Sequence, residues 1–244
     1  MTGSRRRRVV VWVAALVTVL ATARLGAWQL DRAAQKLALQ HAIDERGTLP
    51  RLGAKDLSVD ARSAAELHHR PVALRGRWLA EHTLCLDNRP MSGRVGFIVV
   101  TPLQLDPAPG VVLVQRGWIP RDARDRTLLV PYRTPAGNVE VTGRLAGAPS
   151  SLYEFAGAQA GPIRQNLELD GVAREFSLPL LPLTVAEFDA PFNRGDGLLR
   201  EWPRPAVDVH KHYGYAAQWF ALAALVAGLT VWFQLIQPRL GRAR

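Results

Sequence analysis

Cysteine is nearly absent: Cys85 stands alone among 244 residues. A single thiol cannot close a disulfide within the chain, and neither a C-x-x-C pair for copper or zinc nor a C-x-x-C-H haem-attachment motif is present. Cys85 lies between Leu84 and Leu86 in an apolar run. It reads first as a buried strand residue, with a reactive or metal-binding thiol as the alternative. Hydrolase signatures are missing too. The chain has no G-x-S-x-G elbow and no H-E-x-x-H pair, and His41, His68, His69 and His82 fall at no metal-ligand spacing. His68-His69 reads as a solvated helix end rather than a metal pair. Asp106, Asp122 and Asp125 sit in turn-like contexts, and a tethered hydrolase would require them to converge in the fold. No internal repeat and no low-complexity segment occurs.

A basic stripe with interleaved aromatics is also lacking, although the net charge is +10. Arg5 to Arg8 at one end and Arg239, Arg242 and Arg244 at the other have no acid among them. Taking these seven from the 31 basic residues leaves 24 against 21 acids, a net of +3 for the remainder. The excess charge is therefore terminal. It excludes a nucleic-acid surface and fits cytoplasmic flanks of membrane spans, because arginine beside anionic lipid resists translocation.

What the chain does have is two long apolar stretches, one from Val9 to about Trp28 and one from about Tyr213 to Ile236. Crossing a hydrocarbon core roughly 30 Å thick takes about 20 mostly apolar helical residues. The expected organisation is a basic tail over 1–8, a first span over 9–29, an extracytoplasmic domain over 30–211, a second span over 212–236 and a basic tail over 237–244. Both termini would be cytoplasmic. A cleavable signal peptide competes for the first span, given four arginines, the apolar run Val9 to Ala23 and Ala21-Thr22-Ala23. Trp28 and a snorkelling Arg24 favour a retained anchor.

Between the spans the spacing of Leu30, Ala34, Leu37 and Ile43 predicts a helical extension over 30–46, ending near Gly47. A short helix is expected over 58–69, capped by Ser58 or Asp60. Short β-branched runs predict strands at Val72–Trp78, Thr83–Leu86, Val95–Val100, Val111–Gln115 and Val139–Leu145, with Ile163–Leu169 a weaker sixth. Asp87-Asn88-Arg89-Pro90 and Leu105 to Gly110 read as connections. Closely spaced strands without intervening helices predict a mainly antiparallel sheet or small barrel, within an α+β domain whose strands fill 70–170. Leu178 to Leu183 reads as excluded from a sheet interior, since Pro179 and Pro182 donate no ladder bond. A Pro-rich approach over 178–208 leads to the second span.

At 100° per residue, Tyr215, Ala216, Trp219, Ala223, Val226 and Thr230 fall on the face of His212. Ala217, Ala221, Ala224 and Gly228 form a second, small-residue face. The expected division is that the alanine–glycine face meets the first helix, as close packing in lipid requires. The His–Trp face would meet a ligand or another membrane protein. A plain interfacial aromatic belt is the alternative. Gln218 and Gln234 could hydrogen-bond a partner.

The run His212-Tyr213-Gly214-Tyr215-Ala216-Ala217-Gln218-Trp219-Phe220 resembles the second-span motif of the Surfeit locus protein one family, the assembly factors of cytochrome c oxidase. Leu25-Gly26-Ala27-Trp28-Gln29-Leu30-Asp31-Arg32 resembles that family's motif at the end of the first span. Asp87-Asn88-Arg89, Thr101-Pro102-Leu103, Val114 to Pro120 and Val141 to Leu145 resemble its domain motifs in order. His210 stands where the pattern has Asn, and Gln115 where Asn is usual.

The resemblance implies a non-enzymatic, chaperone-like factor of the respiratory chain in a bacterial plasma membrane. It would bind haem a transiently, with cytochrome c oxidase subunit one, the haem a synthesis machinery and membrane lipid as partners. His212 would be the axial ligand of the haem iron, because a neutral imidazole suits that role. Tyr215 and Trp219 would pack against the macrocycle. Arg204, and also Arg200, Arg24 or Arg32, would pair with the propionates. His210 is a weaker second ligand, since residues two apart on a helix point to different sides. A scaffold that stabilises a nascent oxidase subunit without haem is the alternative function.

Overall fold

Proline is absent before Pro50, and the chain takes this freedom at once. In the computed structural model, which describes residues 2–57, 60–122, 124–125, 127–149, 161–202, 205 and 207–240, a single helix α1 runs from Thr2 to Gly47. It passes through the apolar run into the amphipathic extension and stops at a glycine. The chain then divides into two units, residues 42–203 and residues 1–41 with 204–244.

The first unit begins with a short 3₁₀ turn (Ala54–Asp56) and α2 (Ala61–Glu66). Asp60 caps α2 by accepting the Ser63 N–H at 2.9 Å; Ser58, the other candidate cap, lies outside the described residues. Seven strands follow: β1 (Pro71–Trp78), β2 (Leu84–Met91), β3 (Arg94–Leu105), β4 (Val111–Pro120), β5 (Asn138–Ala146), β6 (Ile163–Arg164) and β7 (Leu180–Glu187). Helix α3 (Leu169–Phe176) lies between the last two.

The sheet order is β1-β5-β7-β4-β3-β2-β6, and β1 also pairs with β3. That additional pairing closes β1, β5, β7, β4 and β3 into a five-stranded barrel, so none of these five leaves a free edge. The expectation of a mainly antiparallel sheet is met only approximately, because β4 pairs with β7 and β2 with β6 in parallel. Parallel neighbours need a crossover, and α3 lies in the connection that brings the chain back to β7.

Alternation along β1 points Val72, Leu74 and Trp78 inward and Arg75 and Arg77 outward. With Leu103, Leu105, Val112, Val114, Val141, Leu145, Leu183 and Val185 they fill the barrel. β4 is buried along nearly its whole length, because its other face is covered as well. Leu113 packs there with Leu84, Leu86 and Val100 under Leu167 and Val172 from the α3 region.

Three expectations need correction. The segment after Leu178 contributes β7, which has neighbours on both sides. Pro182 is tolerated because it falls at the register shift in the β4–β7 ladder, between the Val111↔Leu180 and Leu113↔Thr184 pairs; a bulge needs no N–H at that point. Asp87 to Pro90 is part of β2, again through a shift between Leu86 and Arg89, with Asn88 at φ 59°. The weak sixth strand shrinks to Ile163–Arg164, and its expected last residue, Leu169, opens α3 instead.

The second unit pairs α1 with α4 (Val209–Val231). α4 continues through a π turn (Trp232–Ile236) into α5 (Gln237–Leu240). Pro238 has no N–H and its ring crowds the carbonyl four residues back, so a widened turn just before it relieves the clash. Both long helices, over Arg5–Gly47 and Val209–Leu240, are long and apolar enough to cross a membrane.

Candidate functional site

Buried or half-buried positions recur on α1 at Ala15, Val19, Thr22, Gly26, Gln29 and Ala33, with spacings alternating between three and four. The same rhythm appears on α4 at Val209, His212, Ala216, Trp219, Ala223 and Val226. Matching three–four stripes are the pattern of two helices packed along each other. Two contacts fix the pairing as antiparallel. A Cβ on Gly26 would lie 2.8 Å from the Phe220 ring, and Gln29 Oε1 lies 2.7 Å from His212 Nδ1. The seam is slim: Gly26, Ala33, Ala216 and Ala223 let the backbones approach, and Thr22 returns its hydroxyl to the Thr18 carbonyl at 2.8 Å.

This arrangement reverses the expected division of faces. The His–Trp stripe is the one turned to α1, whereas Ala217, Ala221, Ala224 and Gly228 are exposed, with nothing within 4 Å of a Cβ placed on Gly228. Both stripes contain small residues, so smallness alone did not choose between them. The polar pair decides it, because Gln29 and His212 satisfy each other only when the His stripe faces α1.

His212 is half-buried, and its Nε2 has no partner among the described residues. A glutamine oxygen only accepts, so this contact is satisfied by the ring form that carries its proton on Nδ1. Trp219 is half-buried two turns further along, while Tyr215 is 53% exposed, beside the seam rather than in it. His210 is exposed, on a different side of α4. Gln218 is exposed and Gln234 half-buried. Arg204 lies outside the described residues. Arg32 Nη1 donates to Gln35 Oε1 at 2.9 Å on its own helix. The motif assigns Gln29 no role of its own; its place seven residues after Thr22 in the α1 stripe is the sequence signal for one.

Arg200, expected as a propionate partner, is instead committed to carboxylates within the 42–203 unit. Its side chain is 2% exposed and pairs with Glu187 at 3.2 Å and Asp196 at 2.5 Å. Arg116 lies beside it, donating to Thr134 Oγ1 at 2.6 Å and the Arg133 carbonyl at 2.7 Å, over the Trp78 ring. Burial lowers the affinity of Arg116 for its proton, and the Glu187 and Asp196 carboxylates oppose that. A cavity of about 420 Å³ reaches this lattice between Trp78, Phe192 and Asn193. Within the barrel unit the quoted motifs hold structure. Asp87 pairs with Arg121, Arg89 donates to the Gln165 carbonyl at 2.7 Å, Trp118 Nε1 donates to the Arg89 carbonyl at 2.8 Å, and Gln115 joins β4 to β7 through Thr184 Oγ1 at 2.9 Å.

Cys85 is buried in β2, and burial pushes its thiol up to about 11. The reactive reading therefore gives way to the buried-strand reading. His68 and His69 are part-buried at the end of α2, each held below the usual imidazole range, first by burial and then by neighbouring arginine charge. Asp122 accepts the Arg124 and Asp125 N–H groups and Asp125 the N–H and hydroxyl of Thr127, while Asp106 accepts from Asn138. Each carboxylate is thus engaged locally. Among the described residues no group of three or more His, Cys, Asp and Glu is placed to hold a metal ion.

A small closed barrel inserted in sequence between two long apolar helices, one of which presents a histidine, defines the class of protein. The chain belongs to the SURF1 family, whose sequence model matches residues 16–224. It is 26% identical over 212 residues to a SURF1-like protein of Rickettsia bellii, covering 86% of this chain and 84% of that one. SURF1-like proteins of Monosiga brevicollis and Drosophila melanogaster are each 29% identical, over 155 and 114 residues. These matches take in 59% and 40% of this chain, and only 56% and 37% of those relatives' lengths.

Proposed function

We propose that this chain is an assembly factor for cytochrome c oxidase that holds haem a as cargo for oxidase subunit one. The role in oxidase assembly is what the family implies in general; the haem step rests on the helix pair. The observation that carries it is His212, whose Nδ1 is engaged by Gln29 at 2.7 Å while its Nε2 has no partner among the described residues. An Nδ1–H engaged in this way is what coordination through Nε2 calls for, which supports the reading. Tyr215 beside the seam and the half-buried Trp219 two turns along it supply rings for a macrocycle to pack against, and the apolar flanks of α1 and α4 suit an isoprenoid tail. The two long apolar helices and the arginines that flank them support a bacterial plasma-membrane location, with residues 42–203 outside the cytoplasm.

The test is a pigment spectrum. Protein purified from cells that make haem a should carry haem with a Soret band, and His212→Ala should lose most of it. Wild type without pigment, or a mutant that keeps it in full, would instead favour the haem-free scaffold.

A further inference from the structure

An imidazole can coordinate only through a nitrogen that lacks a proton, and free histidine prefers to keep its proton on Nε2. A ligand that uses Nε2 must therefore have its proton drawn to Nδ1 by an acceptor. Gln29 Oε1 is that acceptor, at 2.7 Å. Its reach depends on the seam. Gly26, one turn earlier on α1, leaves space that the Phe220 ring fills at 2.8 Å from a Cβ position, which keeps α4 within range of one glutamine side chain. A neutral amide also avoids burying a charge between two apolar helices.

We propose that Gln29 is the positioning residue for His212. It fixes the tautomer and ring orientation from the opposite helix and so keeps the Nε2 lone pair open to an incoming ligand. This rests on the proposed ligand role of His212, but the tautomer can be measured without haem.

The full chain, labelled with ¹⁵N-histidine and held haem-free in detergent micelles, reports the tautomer through its ring ¹⁵N shifts, with His212→Ala assigning the signals. Wild type should show the Nδ1–H form. Gln29→Met, similar in size and without a hydrogen-bond oxygen, should move His212 towards Nε2–H. Gln29→Glu should restore Nδ1–H. In a titration with haem b, Gln29→Met should weaken binding roughly tenfold or more, as loss of an outer-shell partner does, and Gln29→Glu should recover it with a shifted Soret band.

An unchanged tautomer in Gln29→Met overturns the inference, whatever haem does. If the tautomer moves but wild type takes up no haem, the positioning by Gln29 stands and the ligand reading fails. Should Gln29→Met lose its helical circular dichroism, Gln29→Glu decides: a carboxylate draws the Nδ1 proton more strongly than an amide, so the Nδ1–H form should persist with a moved Nδ1 shift, and an Nδ1 shift and Soret band both unmoved from wild type would overturn the proposal.

Discussion

Arg200 and Glu187 show what burial asks of a single residue. Each side chain is 2% exposed, and each charge is tolerated because the other is present. Removing one member of such a pair strands the other, at a cost of about 3–5 kcal/mol. Arg200→Met should lower the unfolding free energy by that order in a denaturant titration, and adding Glu187→Gln should recover part of it. A loss under 1 kcal/mol would mean that the lattice is peripheral to stability. None of this could be read from the sequence. Arg200 looked like one more basic residue near an apolar run, and its acids come from β7 and the loop after it. Cys85 is the opposite case. Its apolar neighbours and alternation were enough to place it, because burial of a strand residue is a local pattern.

Among the elements, legibility followed periodicity. α1 and its glycine stop, the core of β1 and the run of β5 were visible because their side chains alternate or repeat within the element. β7 was misread because a proline argues against a central strand, and only the neighbouring ladder could supply the bulge that accepts it. The barrel closes where β1 crosses from β5 to β3 at Gly76, which pairs with both Val139 and Leu105. A Cβ there would lie 2.1 Å from the Gln104 carbonyl oxygen, a backbone atom that cannot step aside. Gly76→Ala should therefore destabilise the barrel by on the order of 3–5 kcal/mol and lower the thermal unfolding midpoint in detergent. A variant as stable as wild type would show that β1 and β3 are not closed upon each other.

For the whole molecule the proposed membrane arrangement makes a prediction that stands apart from haem. In a Cys85→Ala background, Leu128→Cys places a thiol at a site 57% exposed in the barrel unit, and Arg5→Cys places one before the first apolar run. A membrane-impermeant maleimide added to intact spheroplasts should label Leu128→Cys and leave Arg5→Cys unlabelled until lysis. The reverse pattern would invert the orientation, and equal labelling of both would remove the membrane from the account.

The two apolar helices, the strand-rich middle, the terminal placement of the excess charge and the family are all legible along the chain, because each is a matter of composition, period or motif order. The closure of the barrel, the buried arginine–carboxylate lattice and the face of α4 that meets α1 emerge only on folding. Those depend on which distant residues satisfy one another. Two small-residue stripes are equivalent in the sequence of α4, and it took Gln29, 183 residues away from His212, to choose between them.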